Sequence, residues 1–120
     1  MTDPKKVAEL YLASWNAVPA GRAAAMDIWA ATATYRDPLM AGDGRDGIAA
    51  MIDAAVANFP GHHFVLDGTP DGHGPFVRFS WIIRPIGGAD TAVARGTDVV
   101  RLDGDGRIVE VIGFLDGGVA

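Results

Sequence analysis

The hydrophobic pattern of this chain changes period at Pro60-Gly61, and that change limits the fold more than any other feature. Ahead of it apolar residues recur at helical spacing. Beyond it they alternate, as they do along strands with one buried face. Helices followed by consecutive hairpins specify α+β, with three N-terminal helices packed on one face of a curved, mostly antiparallel sheet. A chain of 120 residues suffices for a single domain spanning 1–120, with a core that needs no disulfide or metal staple.

The helical half carries clear start and stop signals. Asp3-Pro4 supplies an N-cap and a proline at the first helical position, where its missing N–H does no harm. Val7, Tyr11 and Trp15 then recur every fourth residue, with Leu10 alongside, and Pro19 and Gly21 end the stripe. A second short helix over 22–31 turns Met26 and Trp29 inward. The β-branched and aromatic run 32–37 reads as a strand stopped by Pro38. Ile48, Met51, Ile52, Ala55, Val56 and Phe59 mark the next helix, which ends at Pro60-Gly61.

Four strands follow, over 62–68, 75–84, 91–102 and 107–116. Most of the 16 glycines fall between elements, beside Asp or Pro, where turns need them. Asp103-Gly104-Asp105-Gly106 is a hairpin turn of this kind. Gly96, Ala94 and Ala92 share strand parity with Asp98. Residues that small open space on the concave face, so the expectation is a cone that encloses a cavity.

Composition removes several functions. A net charge of −5 and a pI of 4.9, with no cluster of Lys or Arg, argue against nucleic acid. No apolar run approaches the roughly 20 residues of a membrane span. The N-terminus lacks the cationic start and apolar stretch of a signal peptide, so the expected location is cytoplasmic. With no cysteine there is no thiolate metal site, redox motif or thiol nucleophile.

Two motif matches dissolve on inspection. Gly42-Asp43-Gly44-Arg45-Asp46-Gly47 fits G-x-G-x-x-G, but antiparallel hairpins follow it, not the parallel sheet a dinucleotide site requires. It is a turn and a helix start. The Asp103 turn puts Arg107 and Phe114 where a calcium loop needs ligands. His62 and His63 are strand neighbours pointing to opposite faces, and His73 lies in a turn, so no metal site is expected.

The aspartates say more. Of 15 acidic residues only Glu9 and Glu110 are glutamate, and most aspartates occupy turns and caps. Asp37 and Asp98 do not. Asp37 shares strand parity with Tyr35, and Asp98 shares it with Val100 and Leu102. A carboxylate among apolar neighbours is either a hydrogen-bonded structural group or an acid–base catalyst with a shifted pKa.

The segments Tyr11-Leu-Ala-Ser-Trp-Asn16, Ala33-Thr-Tyr-Arg-Asp37-Pro38, Gly44-Arg-Asp-Gly-Ile48 and Thr97-Asp98-Val-Val-Arg-Leu-Asp-Gly-Asp-Gly-Arg-Ile108 together resemble the NTF2-like superfamily. They are most similar to its SnoaL-like branch, with the ketosteroid isomerases and polyketide cyclases. The resemblance runs from Val7 to Asp116. It implies a cone-shaped α+β barrel and a cofactor-independent enzyme that moves a proton beside a carbonyl. Asp37 would be the general base, with Tyr11 and a protonated Asp98 donating hydrogen bonds to the dienolate oxygen. The cyclase branch pairs its late-strand acid, here Asp98, with a histidine that the strands 75–84 and 91–102 lack. The epoxide-hydrolase branch needs an arginine between two aspartates, and Arg95 has the opposite parity to Asp98.

Strand parity proposes the cavity walls. Val77, Phe79, Trp81 and Ile83 form one apolar face, and the resemblance adds Val111, Gly113 and Leu115. With Trp15, Tyr35 and Phe59, and with His63 at the rim, they outline a site for a flat, largely uncharged apolar small molecule. The alternative is a non-catalytic binding or dimerisation module. Val99, Ile112 and Phe114 on the outer face suggest a homodimer formed sheet to sheet.

Overall fold

In the computed structural model of the chain, residues 3–88 and 91–116 are described. The alternating half forms β3 (His62–His73), β4 (Phe76–Pro85), β5 (Ala94–Leu102) and β6 (Ile108–Leu115), each antiparallel to its neighbour. Ahead of them come α1 (Pro4–Asn16), α2 (Arg22–Ala25), β1 (Trp29–Arg36), β2 (Ala41–Asp43) and α3 (Gly44–Val56). The six strands make one open, mixed sheet in the order β2-β1-β6-β5-β4-β3, whose single parallel pair joins β1 to β6. Helix α1 lies over β3 and β4, and α3 lies over β1 and β2. The cone-shaped α+β architecture follows from this arrangement.

Capping explains where α1 begins. The Asp3 side chain accepts from the backbone N–H groups of Lys5 and Lys6 at 3.0 and 3.3 Å, which satisfies two of the donors a helix start leaves free. Its buried face comprises Val7, Ala8, Tyr11, Leu12, Ser14 and Trp15. Leu10, expected beside that stripe, instead lies 40% exposed, because it sits about a third of a turn off the face that Leu12 occupies.

Tertiary pairing moves other boundaries. The second helix stops at Ala25, passes through a 3₁₀ turn over Met26–Ile28, and strand β1 already begins at Trp29. Pairing of Trp29 with Ile108 of β6 captures residues that local propensity assigns to a helix. Met26 and Trp29 are nevertheless buried as expected. Helix α3 ends at Val56, short of Phe59, and β2 was not anticipated at all. Strand β3 continues five residues past Gly68, because a bulge between Asp67 and Asp71 absorbs Gly68, Thr69 and Pro70. The hairpin turn proper holds Gly74, at a φ of 53°.

Alternation along the later strands is regular. Val77, Phe79, Trp81 and Ile83 are buried on β4, and Gly96, Asp98, Val100 and Leu102 on β5. Gly96 does not hollow the sheet, however. It pairs with Trp81 across the β4–β5 ladder, and the Trp81 indole lies directly over it, where a Cβ would be. Missing side-chain volume here makes room for a large neighbour and not for a ligand. A Cβ at Gly96 would also stand 2.7 Å from the Phe114 carbonyl oxygen, which is backbone and cannot step aside. Gly96→Ala is therefore expected to cost about 2–3 kcal/mol of unfolding free energy, measured by chemical denaturation. A loss below about 0.5 kcal/mol would show that the Trp81–Gly96 contact is not tight.

Candidate active site

Between the helices and the sheet lies a cavity of about 190 Å³. Helix α1 contributes Tyr11, Leu12 and Trp15, and the region from β1 to β2 contributes Tyr35, Asp37, Leu39 and Met40. Helix α3 and the turn after it supply Ala55 and Phe59. Phe64, Trp81, Ile83, Ala94, Asp98 and Leu115 come from the last four strands. Both charged residues on this wall are acids, and the rest is mostly aromatic or aliphatic.

Asp98 is 2% exposed, and the Tyr11 hydroxyl donates to its Oδ2 at 2.7 Å. Its Oδ1 is buried and accepts from no group among the described residues. Burial pushes the Asp98 carboxyl up to about 6; the neighbouring Asp37 and Asp116 charges add to the rise, and the Tyr11 and Trp81 donors oppose it. Trp81 favours the ionised form from nearby without making a hydrogen bond of normal geometry to Oδ1. The Tyr11 hydroxyl is held well above its usual range, first by burial and then by the Asp98 charge, so it stays protonated and serves as a donor.

Asp37 sits just past the end of β1 in a different setting. Its Oδ2 accepts from the Tyr35 hydroxyl at 2.6 Å, and its Oδ1 accepts from the backbone N–H groups of Leu39 and Met40 at 2.7 and 2.9 Å. The Asp37 N–H donates in turn to the Met40 carbonyl, closing the turn into β2. Burial likewise holds the Tyr35 hydroxyl above its usual range, with the two carboxylates adding to the effect. Gly113, paired with Asp98 across β5 and β6, is what lets these groups meet. A Cβ there would lie 2.9 Å from Asp98 Oδ1, 3.1 Å from Asp37 Cβ and 3.4 Å from the Tyr35 hydroxyl.

Buried polar contacts fix α1 in register with this wall. Ser14 donates to the Tyr11 carbonyl at 2.6 Å and accepts from the Trp29 indole at 3.0 Å. The buried Arg22 guanidinium binds the Ser14 carbonyl and reaches Asp53 on α3 at 2.9 Å. At the C-terminal end the Asn16 amide exchanges two 2.8 Å hydrogen bonds with the Phe64 backbone. That reciprocal pair pins the helix end to β3 and sets Trp15 against Phe64, ring centroids 5.1 Å apart.

Of the residues singled out from sequence, the cavity brings together Tyr11, Trp15, Tyr35, Asp37, Phe59, Trp81, Asp98 and Leu115. Phe79 lies outside its lining, buried beneath the Tyr11 ring at 5.1 Å. Val111 is fully buried in the sheet, and Gly113 acts through the space it leaves. His63 alternates with Phe64 on β3, so the phenyl ring takes the cavity side and the imidazole the other. Sequence reasoning missed Leu12, Leu39, Met40, Ala55 and Phe64 as wall residues, whereas Ile83 and Ala94 line the cavity from the face that strand parity gave them. Parity with Leu66 identifies Phe64. Nothing local marks the 38–40 turn. Among the described residues no three His, Asp or Glu side chains gather as a metal site, and no helix is long and apolar enough to cross a membrane.

Comparison with known proteins follows the same outline. Residues 8–111 match the SnoaL-like domain. A SnoaL-like family protein from Agrobacterium tumefaciens, proposed to be an isomerase, is 52% identical, with 98% of this chain and 100% of that one covered at a TM-score of 0.90. A Catenulispora acidiphila protein with a ketosteroid isomerase-like fold, in complex with trimethylamine, shares 20% identity over 90% of this chain and 83% of its own, at a TM-score of 0.72. An NTF2-like protein from Exiguobacterium is 16% identical, with 93% of this chain and 99% of that one covered at 0.71. The last two bear on the fold alone. Among curated proteins, none matches the chain.

The elevated Asp98 pKa carries a sign for stability. A carboxyl that ionises at about 6 when folded and near 3.8 when unfolded binds its proton more tightly in the folded state, so folding weakens as pH rises across that window. Between about pH 4 and pH 7 the wild type should lose about 2 kcal/mol relative to Asp98→Asn, compared by urea unfolding at both values. A pH-independent difference between the two proteins would mean that Asp98 ionises as an exposed aspartate does.

Proposed function

The chain belongs to the SnoaL-like domain family, and we propose that its cavity is the active site of a cofactor-independent enzyme moving a proton beside the carbonyl of an apolar small molecule. One observation carries this reading: two carboxylates in unlike environments, each bonded to a tyrosine, gather around Gly113 at one apolar cavity. Support also comes from the 52% identical Agrobacterium relative, itself proposed to be an isomerase.

In this mechanism the Asp37 carboxylate takes a proton from the carbon next to the carbonyl. The C–H electron pair passes into the carbonyl π system, and negative charge builds on the oxygen. Protonated Asp98 stabilises that charge by donating from Oδ1, since Oδ2 already accepts from Tyr11. Asp37 then returns the proton, either to the original carbon or to the far end of the dienolate, which shifts the double bond. An engineered cavity of about 150 Å³ takes benzene. One of about 190 Å³ suits a skeleton of one or two rings.

A non-catalytic binding module is the second reading, favoured by the fact that the hydrogen bonds Asp37 accepts all come from Tyr35 and its own turn. For either activity we propose a homodimer through the outer sheet face, where Phe114 is 53% and Ile112 36% exposed.

Exchange of α-protons for deuterium in compact cyclic ketones, followed by NMR, separates the readings. The wild type should accelerate exchange, and Asp37→Asn should slow it at least about 100-fold while remaining folded. Because donation needs the Asp98 acid form, the rate should fall as pH rises through about 6. Equal exchange by wild type and variant would reject proton transfer by Asp37.

A further inference from the structure

The hydrogen-bond donors around the cavity are nearly all committed. The Tyr11 hydroxyl gives its proton to Asp98, the Tyr35 hydroxyl gives its own to Asp37, and the Leu39 and Met40 amides also point at Asp37. Among the described residues, the Trp15 indole N–H is the fully buried donor on this wall that has no partner. It belongs to a residue of the cavity wall that is 5% exposed, and it donates to no group among the described residues. Buried donors are almost always partnered, so an idle one in a residue of the cavity wall marks the place of an absent acceptor.

Its position is fixed from several sides. Trp15 follows Tyr11 by four residues on α1, which stacks both on one face. Its ring packs against Tyr35 at 5.7 Å and Phe64 at 5.1 Å, and the Asn16–Phe64 bonds hold the adjacent backbone. The Trp15 ring also lies 6.4 Å from that of Tyr11, centroid to centroid, which places it beside the Tyr11–Asp98 pair. We propose that Trp15 is a ligand-contacting residue whose indole N–H binds the oxygen of a compact, flat carbonyl or enol ligand at the acid end of the cavity. This rests on the cavity being the active site, and adds to it an uncharged donor that works in either ionisation state of Asp98. Because the N–H is held in place before the ligand arrives, its interaction strengthens as the oxygen gains charge.

A ligand pair that differs by one oxygen tests this without turnover: 2-naphthol and naphthalene, titrated into protein carrying nitrogen-15 indoles and followed by NMR. The wild type should bind 2-naphthol about tenfold more tightly than naphthalene, the effect of one good hydrogen bond. The Trp15 N–H resonance should move downfield on adding 2-naphthol. That of Trp29, already bonded to Ser14, should stay in place. Trp15→Phe keeps an aromatic ring and should abolish the preference by weakening 2-naphthol alone. An equal loss for both ligands would make Trp15 a wall residue and overturn the proposal. So would a preference that survives in Trp15→Phe, a stationary Trp15 resonance, or failure of the wild type to prefer 2-naphthol. A wild type that exchanges α-protons yet shows no such preference would overturn the Trp15 assignment alone and leave proton transfer standing.

Discussion

The hydrogen bond from Tyr11 to Asp98 joins the first helix to the fifth strand through the interior of the cone, and much of the surrounding structure is explained by it. A carboxyl that is 2% exposed needs a donor, and a buried phenol needs an acceptor. Each supplies what the other lacks. The helix must therefore lie where the strand can reach it, and the Ser14, Arg22 and Trp29 contacts hold it there. Glycine is required at Gly113 because Asp98, Asp37 and Tyr35 converge on the space its side chain would fill.

That geometry divides two chemically identical groups. Asp98 is deep, supported by one tyrosine, and keeps a free oxygen, so its proton is held at pH values where an exposed aspartate has lost it. Asp37 ends a strand, and both its oxygens accept hydrogen bonds from outside its own carboxyl. An acid that keeps its proton opposite a carboxylate held by hydrogen-bond donors is a workable arrangement for proton transfer beside a carbonyl. The Asp37 bonds to Leu39 and Met40 also join the carboxylate to the turn at the cavity wall, so its position and the wall's shape depend on each other.

Much of this was legible in the sequence because it rests on periodicity. The change at Pro60-Gly61 separates helices from hairpins, and strand parity places Trp81 and Asp98 on the inner face. The four-residue step from Tyr11 to Trp15 puts both on the buried side of α1. Features that depend on distant partners were not legible. The early start of β1 reflects pairing of Trp29 with Ile108 of β6, 79 residues later in the chain. Gly96 looks like a void in one dimension and is a seat for Trp81 in three. The β3 bulge resembles a turn until its register against β4 is known. Nor does local sequence tell that Trp15 is left without an acceptor, since that depends on every neighbour having found one.

The chemistry of this site depends on Asp98 being the buried, proton-holding partner of Tyr11. The direct measurement is a pH titration of the Asp98 carboxyl carbon by carbon-13 NMR, in the wild type and in Tyr11→Phe. The wild-type midpoint should lie at about 6, as burial dictates. Loss of the tyrosine donor should raise it further, since that hydrogen bond favours the ionised form. A wild-type midpoint near 4, or one that does not move when the hydroxyl is removed, would contradict it.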